Sequence, residues 1–246
     1  MAGHSKWNNI KRKKGAADAK RAAIFSKLGR ELAVAVREGG PDPEGNARLA
    51  AAIVKAKASN MPNDNISRSI TRAAGGGEGA DYEEITYEGY GPGGVAVMVR
   101  SLTDNRNRTA GEVRHAFDKH GGNLGTNGCV SFMFQNKGVL IIERTDEMDE
   151  ETVMMAALEA GAEDMETEDE AFVIYTEPDA FAAVEAALTD AGYTFAQAEI
   201  QPTPDNYIEL ADVLQCEHME KLVEDLEDSD DVQDVWHNWE PAEEVS

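Results

Sequence analysis

Lys6, Lys11, Arg12, Lys13 and Lys14 crowd into the first fourteen residues, with His4 and Trp7 among them. Fixed cations at that density suit the neutralisation of a polyanion, because each phosphate so neutralised releases condensed counterions. If roughly five side chains of this arm and of the basic helix faces that follow engage, log affinity should fall against log salt with a slope near −3.5 to −4.5. Trp7 and His4 offer flat rings that can stack on exposed bases; Trp7 with Ile10 equally suits docking of the arm onto the helices that follow. A second constellation runs from Thr103 to His120. Thr103 or Asp104 is placed to cap a helix, and Val113 and Phe117 give its buried side. Arg106 and Arg108 sit near its N-terminus, where free amides favour anions. These arginines either bind a phosphate or acidic partner or pair with Glu112, Asp118 or Glu88 inside the fold.

Catalytic patterns are lacking. His4, His115, His120, His218 and His237 form no HExxH, and His115 and His120 are five apart, which separates them on a helix. No serine elbow occurs, and the acidic run from Asp225 to Asp234 reads as solvated surface. Cys129 and Cys216 lack the CxxC and His spacings of zinc sites, and two distant thiols argue for a reducing compartment. Tyr90-Gly-Pro-Gly-Gly94 is followed by a strand and no GK[ST], so it reads as a hairpin turn. Gly121 to Gly128 is a glycine and asparagine loop, able to approach a nucleic-acid backbone through its amides or to serve as a mobile connector. These features predict a binding protein with no metal, no cofactor and no small-molecule substrate.

The 246-residue chain has a formal net charge of −24, but the charge is segregated. Residues 1–75 hold fifteen Lys and Arg against six Asp and Glu, residues 76–144 seven against nine, and residues 145–246 only Lys221 against thirty-two. Contact forces act within a Debye length of roughly 8 Å, so the local arm outweighs the remote acidic third. That third is expected to face away from phosphate and to serve solubility, or to meet a basic protein. No apolar run approaches the ~20 residues of a membrane span, and no hydrophobic stretch follows the leading charges. A cytoplasmic location without membrane contact is the expectation.

The elements follow from periodicity. Ile24, Phe25, Leu28, Leu32 and Val36 recur at helical spacing, with Lys20, Lys27, Arg30 and Arg37 on the opposite side of the wheel. Gly39-Gly40 ends this helix, and Asp42-Pro43 has the letters of a cap and first turn for a second helix reaching toward Asn60. A third begins near Asn63 or Asp64, with Ile66 and Ile70 inside and Arg68 and Arg72 outside. Residues 73–81, rich in glycine, read as a linker. Beyond it come strands at Glu84–Tyr90 and Val95–Leu102, a helix at Arg106–Lys119 and a strand at Cys129–Phe134. Then Val139–Glu143, Glu150–Ala160, Ala162–Thr167, Ala171–Thr176, Asp179–Ala191 and Thr194–Gln201 give βαββαβ, a ferredoxin-like unit. A last helix at Asp212–Leu226 and strand at Val232–Trp236 would complete the earlier set. The predicted class is α+β: an N-terminal three-helix module and two ferredoxin-like α/β sandwiches, the third module inserted into the second. The expected domains are 1–75 (basic arm and helices), 82–136 with 205–240 (discontinuous), and 137–204 (the acidic insertion).

Several strings resemble the YebC/PmpR family over essentially the whole length: Met1-Ala-Gly-His-Ser-Lys-Trp7, Phe25 to Leu32, Asn60 to Ile66, Tyr87 to Gly94, Leu102 to Thr109, Gly121 to Gly125 and Asp230 to Asn238. The resemblance implies a cytoplasmic bacterial protein of three domains. It also implies a nucleic-acid-binding regulator of gene expression, either a DNA-binding transcriptional regulator or a ribosome-associated translation factor that binds ribosomal RNA and relieves stalling at proline-rich stretches. Carried over by position, it makes Lys6, Trp7, Lys11, Arg12, Lys13, Lys14, Lys20, Arg21, Arg68 and Arg72 candidates for nucleic-acid contact, with Arg106 and Arg108 behind them.

Overall fold

A computed structural model describes residues 18–75 and 81–241. The first helices are α1 (Asp18–Gly39), α2 (Ala47–Ala58) and α3 (Asn63–Ala74). Leu28, Leu32, Ala35 and Val36 of α1 meet Leu49, Ala52 and Ala56 of α2 and Ile66 of α3 in one core, closed by Met61. The expected cap of α2 is displaced. Asp42 folds into a turn of its own, its carboxylate accepting the Glu44 amide at 3.0 Å, and Asn46 caps the helix by accepting the Leu49 amide at 3.0 Å. The turn into α3 passes through Asn60 at φ 57°, a left-handed conformation that asparagine tolerates better than most residues.

Strands β1 (Glu83–Tyr90), β2 (Ala96–Thr103), β3 (Asn123–Leu124) and β9 (Val232–His237) form an antiparallel sheet in the order β3-β1-β2-β9. One face is covered by α4 (Arg106–Lys119) and α7 (Val213–Asp228), which bury Val113, Phe117, Met219, Leu222 and Leu226 against Val97 and Val99. Between β3 and α7 the chain builds a second sheet from β4 (Phe134–Glu143), β5 (Asp164–Thr167), β6 (Ala171–Thr176) and β7 (Gln197–Pro204), in the order β5-β6-β4-β7. With α5 (Glu150–Ala160) and α6 (Phe181–Asp190) this is the ferredoxin-like βαββαβ arrangement, and its core is Leu140, Ile142, Val153, Phe172, Ile174, Val184 and Leu188. A short parallel pair, β8 (Ile208–Leu210) with β10 (Trp239–Pro241), was not foreseen.

The expected strand over Cys129–Phe134 is instead a single 3-10 turn at Ser131–Met133, and the edge strand lies earlier, at Asn123–Leu124. The cause is Glu88. Its carboxylate accepts the amides of Gly128, Val130 and Ser131 at 2.8, 2.9 and 2.8 Å, so those donors cannot enter a ladder. The glycine loop is therefore held from within, and its Gly125 amide goes to the Glu88 carbonyl at 2.8 Å.

Candidate nucleic-acid interface

The arm residues Lys6, Trp7, Lys11, Arg12, Lys13 and Lys14 lie outside the described residues. Lys20 and Arg21 fall in the first turn of α1, Arg21 with its side chain exposed. The same helix partly buries two of its other cations, Lys27 and Arg30, while Arg37 is exposed. Lys27 donates to the Glu227 carbonyl at 2.5 Å, and Arg30 pairs with Asp231 and donates to the Leu102 carbonyl at 3.3 Å. The side of α1 opposite its core thus faces the first sheet over part of its length rather than water.

On α3, Arg68 and Arg72 project outward while Ile66 and Ile70 pack inward, as the four-residue spacing requires. Arg68 Nε donates to the Asp64 carbonyl at 3.2 Å and a guanidinium nitrogen reaches Asn65 Oδ1, which holds the side chain along the helix. Arg72 has no ion-pair partner among the described residues and stands in the last turn.

At the start of α4 the cap is Asn105, whose Oδ1 accepts the Arg108 amide at 3.1 Å; Thr103 supports it by accepting the Asn105 amide at 2.9 Å. The two arginines beyond the cap diverge. Arg106 is exposed and without an ion-pair partner among the described residues. Arg108 is drawn inward to Asp231 at 2.7 Å and Asp104 at 2.9 Å, with Glu112 at 4.0 Å. Pairing inside the fold therefore governs Arg108, through an aspartate 123 positions away that local sequence does not connect to it.

Asp231 is the node of this region, 3 % exposed. It takes hydrogen bonds from Thr109 at 2.7 Å and Thr103 at 3.2 Å besides the two arginines. Burial opposes its ionisation, but the donors from Arg108, Thr109 and Arg30 overcome that and hold its pKa at about 2. Beside it, Arg100 bonds Asp234 at 2.5 Å and Glu31 at 3.1 Å, where the β2–β9 register shifts between Arg100 and Ser101. Lys55 of α2 completes the cluster, 3.6 Å from Asp234, 3.9 Å from Glu31 and 3.5 Å from Glu199 of β7. Asp234 foremost, then, against burial, Glu199 and Glu31, push the ammonium pKa up. This charge cluster ties the helices to both sheets.

Among the described residues, no three His, Cys, Asp or Glu gather in a way that could hold a metal ion, and no helix is long and apolar enough to cross a membrane.

A basic helical unit followed by two antiparallel α/β units, one carried within the other, defines a recognised class. Residues 5–76 match the TACO1/YebC protein N-terminal domain, and residues 82–239 match the TACO1/YebC second and third domain. The chain belongs to the TACO1/YebC family. A relative from Ruminiclostridium cellulolyticum is 59 % identical over 99 % of this chain and 98 % of its own length. One from Acetivibrio thermocellus is 58 % identical over 97 % and 99 %. Both bear the name probable transcriptional regulatory protein. The crystal structure of a conserved hypothetical protein from Aquifex aeolicus, 48 % identical, superposes with a TM-score of 0.84 over 93 % of each chain.

Proposed function

We propose that this protein is a cytoplasmic, DNA-binding regulator of transcription that works by binding rather than by catalysis. The observation that carries the reading is the segregation of charge: fifteen cations against six carboxylates in residues 1–75, in a chain of net charge −24. The names of the relatives point the same way. The contact set comprises Lys6, Trp7, Lys11, Arg12, Lys13, Lys14, Lys20, Arg21, Arg68 and Arg72, with Arg106 outward at the first turn of α4; Arg108 acts through Asp231 as a support. We assign three units, 1–75, 82–136 with 205–240, and 137–204, of which the first meets phosphate.

The test is duplex-DNA binding as a function of salt, before and after removal of residues 1–14. With roughly five of these cations engaged, the intact chain should give a log–log slope near −4.5 on duplex DNA, and the truncated one a shallower slope with weaker binding at every salt. An unchanged slope overturns the role of the arm.

A second reading has one specific support. In a helix–turn–helix the recognition helix packs across its predecessor, whereas here α3 packs chiefly on α1 and only slightly on α2. That arrangement suits irregular RNA at least as well as a major groove, and so favours a ribosome-associated factor that binds ribosomal RNA. Crosslinking in cells and sequencing of the bound nucleic acid separates the two: promoter fragments sustain the first reading, ribosomal RNA the second.

A further inference from the structure

Phe132 stands 70 % exposed on the Ser131–Met133 turn, while its neighbours Val130, Met133 and Phe134 pack into the cluster beneath with Ala96 and Met98. A lone exposed ring is ordinary on a protein surface. A backbone fastened this firmly behind one is not. The buried Glu88 carboxylate takes three of the loop's amides, the Tyr90 hydroxyl donates to the Cys129 carbonyl at 2.9 Å, and the Asp205 amide donates to the Met133 carbonyl at 2.9 Å. Burial resists the ionisation of Glu88, yet the amides of Gly128, Val130 and Ser131 prevail and hold its pKa below the usual carboxylate range.

The electrostatic setting matters as much as the fastening. Residues 119–142 contain no Asp or Glu, in a chain with 47 of them. The exposed residues flanking the ring in sequence are Thr126, Asn127, Gly128, Gln135 and Asn136, neutral groups that neither repel a phosphodiester chain nor bind it tightly; the carboxylates that reach the turn from elsewhere in the chain are the buried, amide-bound Glu88 and the exposed Asp205, whose amide meets the Met133 carbonyl. No other large apolar side chain of this loop is exposed, so the loop presents one ring face rather than the contiguous patch that a protein partner buries.

We propose that Phe132 is a stacking residue whose ring takes the face of an unpaired base in RNA, held out for that purpose by the Glu88-braced loop. Bases of duplex DNA are already stacked, whereas RNA loops and bulges splay theirs within reach of aromatic side chains. Stacking of this kind tolerates any base and needs no charge at the contact itself. The assignment rests on the nucleic-acid reading above, in its RNA form.

The experiment titrates the full-length protein against an RNA hairpin with 2-aminopurine in its loop, a fully paired RNA of equal length, and a DNA hairpin of the same sequence. The wild type should bind the RNA hairpin and change the fluorescence of the reporter base. Phe132→Ala should weaken hairpin binding roughly 5- to 100-fold and erase that change, while Phe132→Trp keeps both and binding to paired RNA stays as it was. Glu88→Gln, which slackens the support without touching the base, should fall between. If the wild type binds no nucleic acid, the underlying reading fails and takes this one with it. If it binds and Phe132→Ala binds equally well, the stacking role alone is overturned; a loss confined to the DNA hairpin overturns the assignment to RNA.

Discussion

Asp231 joins side chains that lie far apart in sequence: Arg30 of α1, Thr103 at the end of β2, and Arg108 and Thr109 of α4. Removing its charge takes the counter-ion from the Arg30 guanidinium, and an amide in its place has one acceptor oxygen where Arg30, Arg108, Thr103 and Thr109 now share two. We expect Asp231→Asn to cost about 2–4 kcal/mol in urea unfolding at neutral pH. The pH dependence has a definite sign. The folded pKa of about 2 lies below the ordinary aspartate value, so the stabilising contribution is complete above about pH 5 and is lost as pH falls toward 2. It amounts to about 2 kcal/mol at pH 7 and roughly half that at pH 3. The gap between wild type and Asp231→Asn should therefore narrow on acidification; a gap that is constant from pH 7 to pH 3 would contradict the assignment of that pKa. None of this was legible locally, since an aspartate in an acidic run looks like any other until the fold brings arginines to it.

At the level of elements, Asn46 shows how much one cap can do. Besides accepting the Leu49 amide, its side-chain nitrogen donates to the Ala35 carbonyl at 2.7 Å and the Gly40 carbonyl at 2.8 Å, so it fastens the end of α1 to the start of α2. Asn46→Ala should lower stability by about 2–3 kcal/mol, and Asn46→Ser, which keeps a cap, should recover about 1 kcal/mol of that in thermal unfolding followed by circular dichroism. Sequence patterns located all three helices because apolar spacing survives any tertiary context. They misplaced this cap because Asp42-Pro43 satisfies the same local preference and spends it on a turn. The segment from Cys129 to Phe134 failed for a different reason. Its alternation is that of a strand, but ladder formation needs free amides, and a carboxylate forty residues earlier had taken them. The outward arginines of α3 were readable from spacing alone, whereas nothing local distinguishes Phe132 from the apolar Val130, Met133 and Phe134 around it.

Across the whole molecule, positive charge is divided between two tasks. Lys27, Arg30, Arg48 and Lys55 of the N-terminal helices are turned toward carboxylates or carbonyls of the α/β units, Arg48 reaching Glu84 at 2.5 Å, while Arg68 and Arg72 remain outward. Single exposed ion pairs contribute little, but a partly buried network is less screened by salt. The double variant Lys55→Ala/Arg100→Ala should loosen the helices from the sheets. Its radius of gyration by small-angle scattering should rise in 0.5 M salt while that of the wild type stays constant, and identical scattering curves would refute the cluster's fastening role.

The ferredoxin-like unit is joined to the rest by strands that are themselves neighbours, for β4 and β7 pair in register from Phe134 opposite Pro204 to Ile141 opposite Gln197. Its entry and exit are thus rungs of one ribbon. A two-stranded ribbon bends and twists as one piece, so any reorientation of the acidic unit flexes both crossings together.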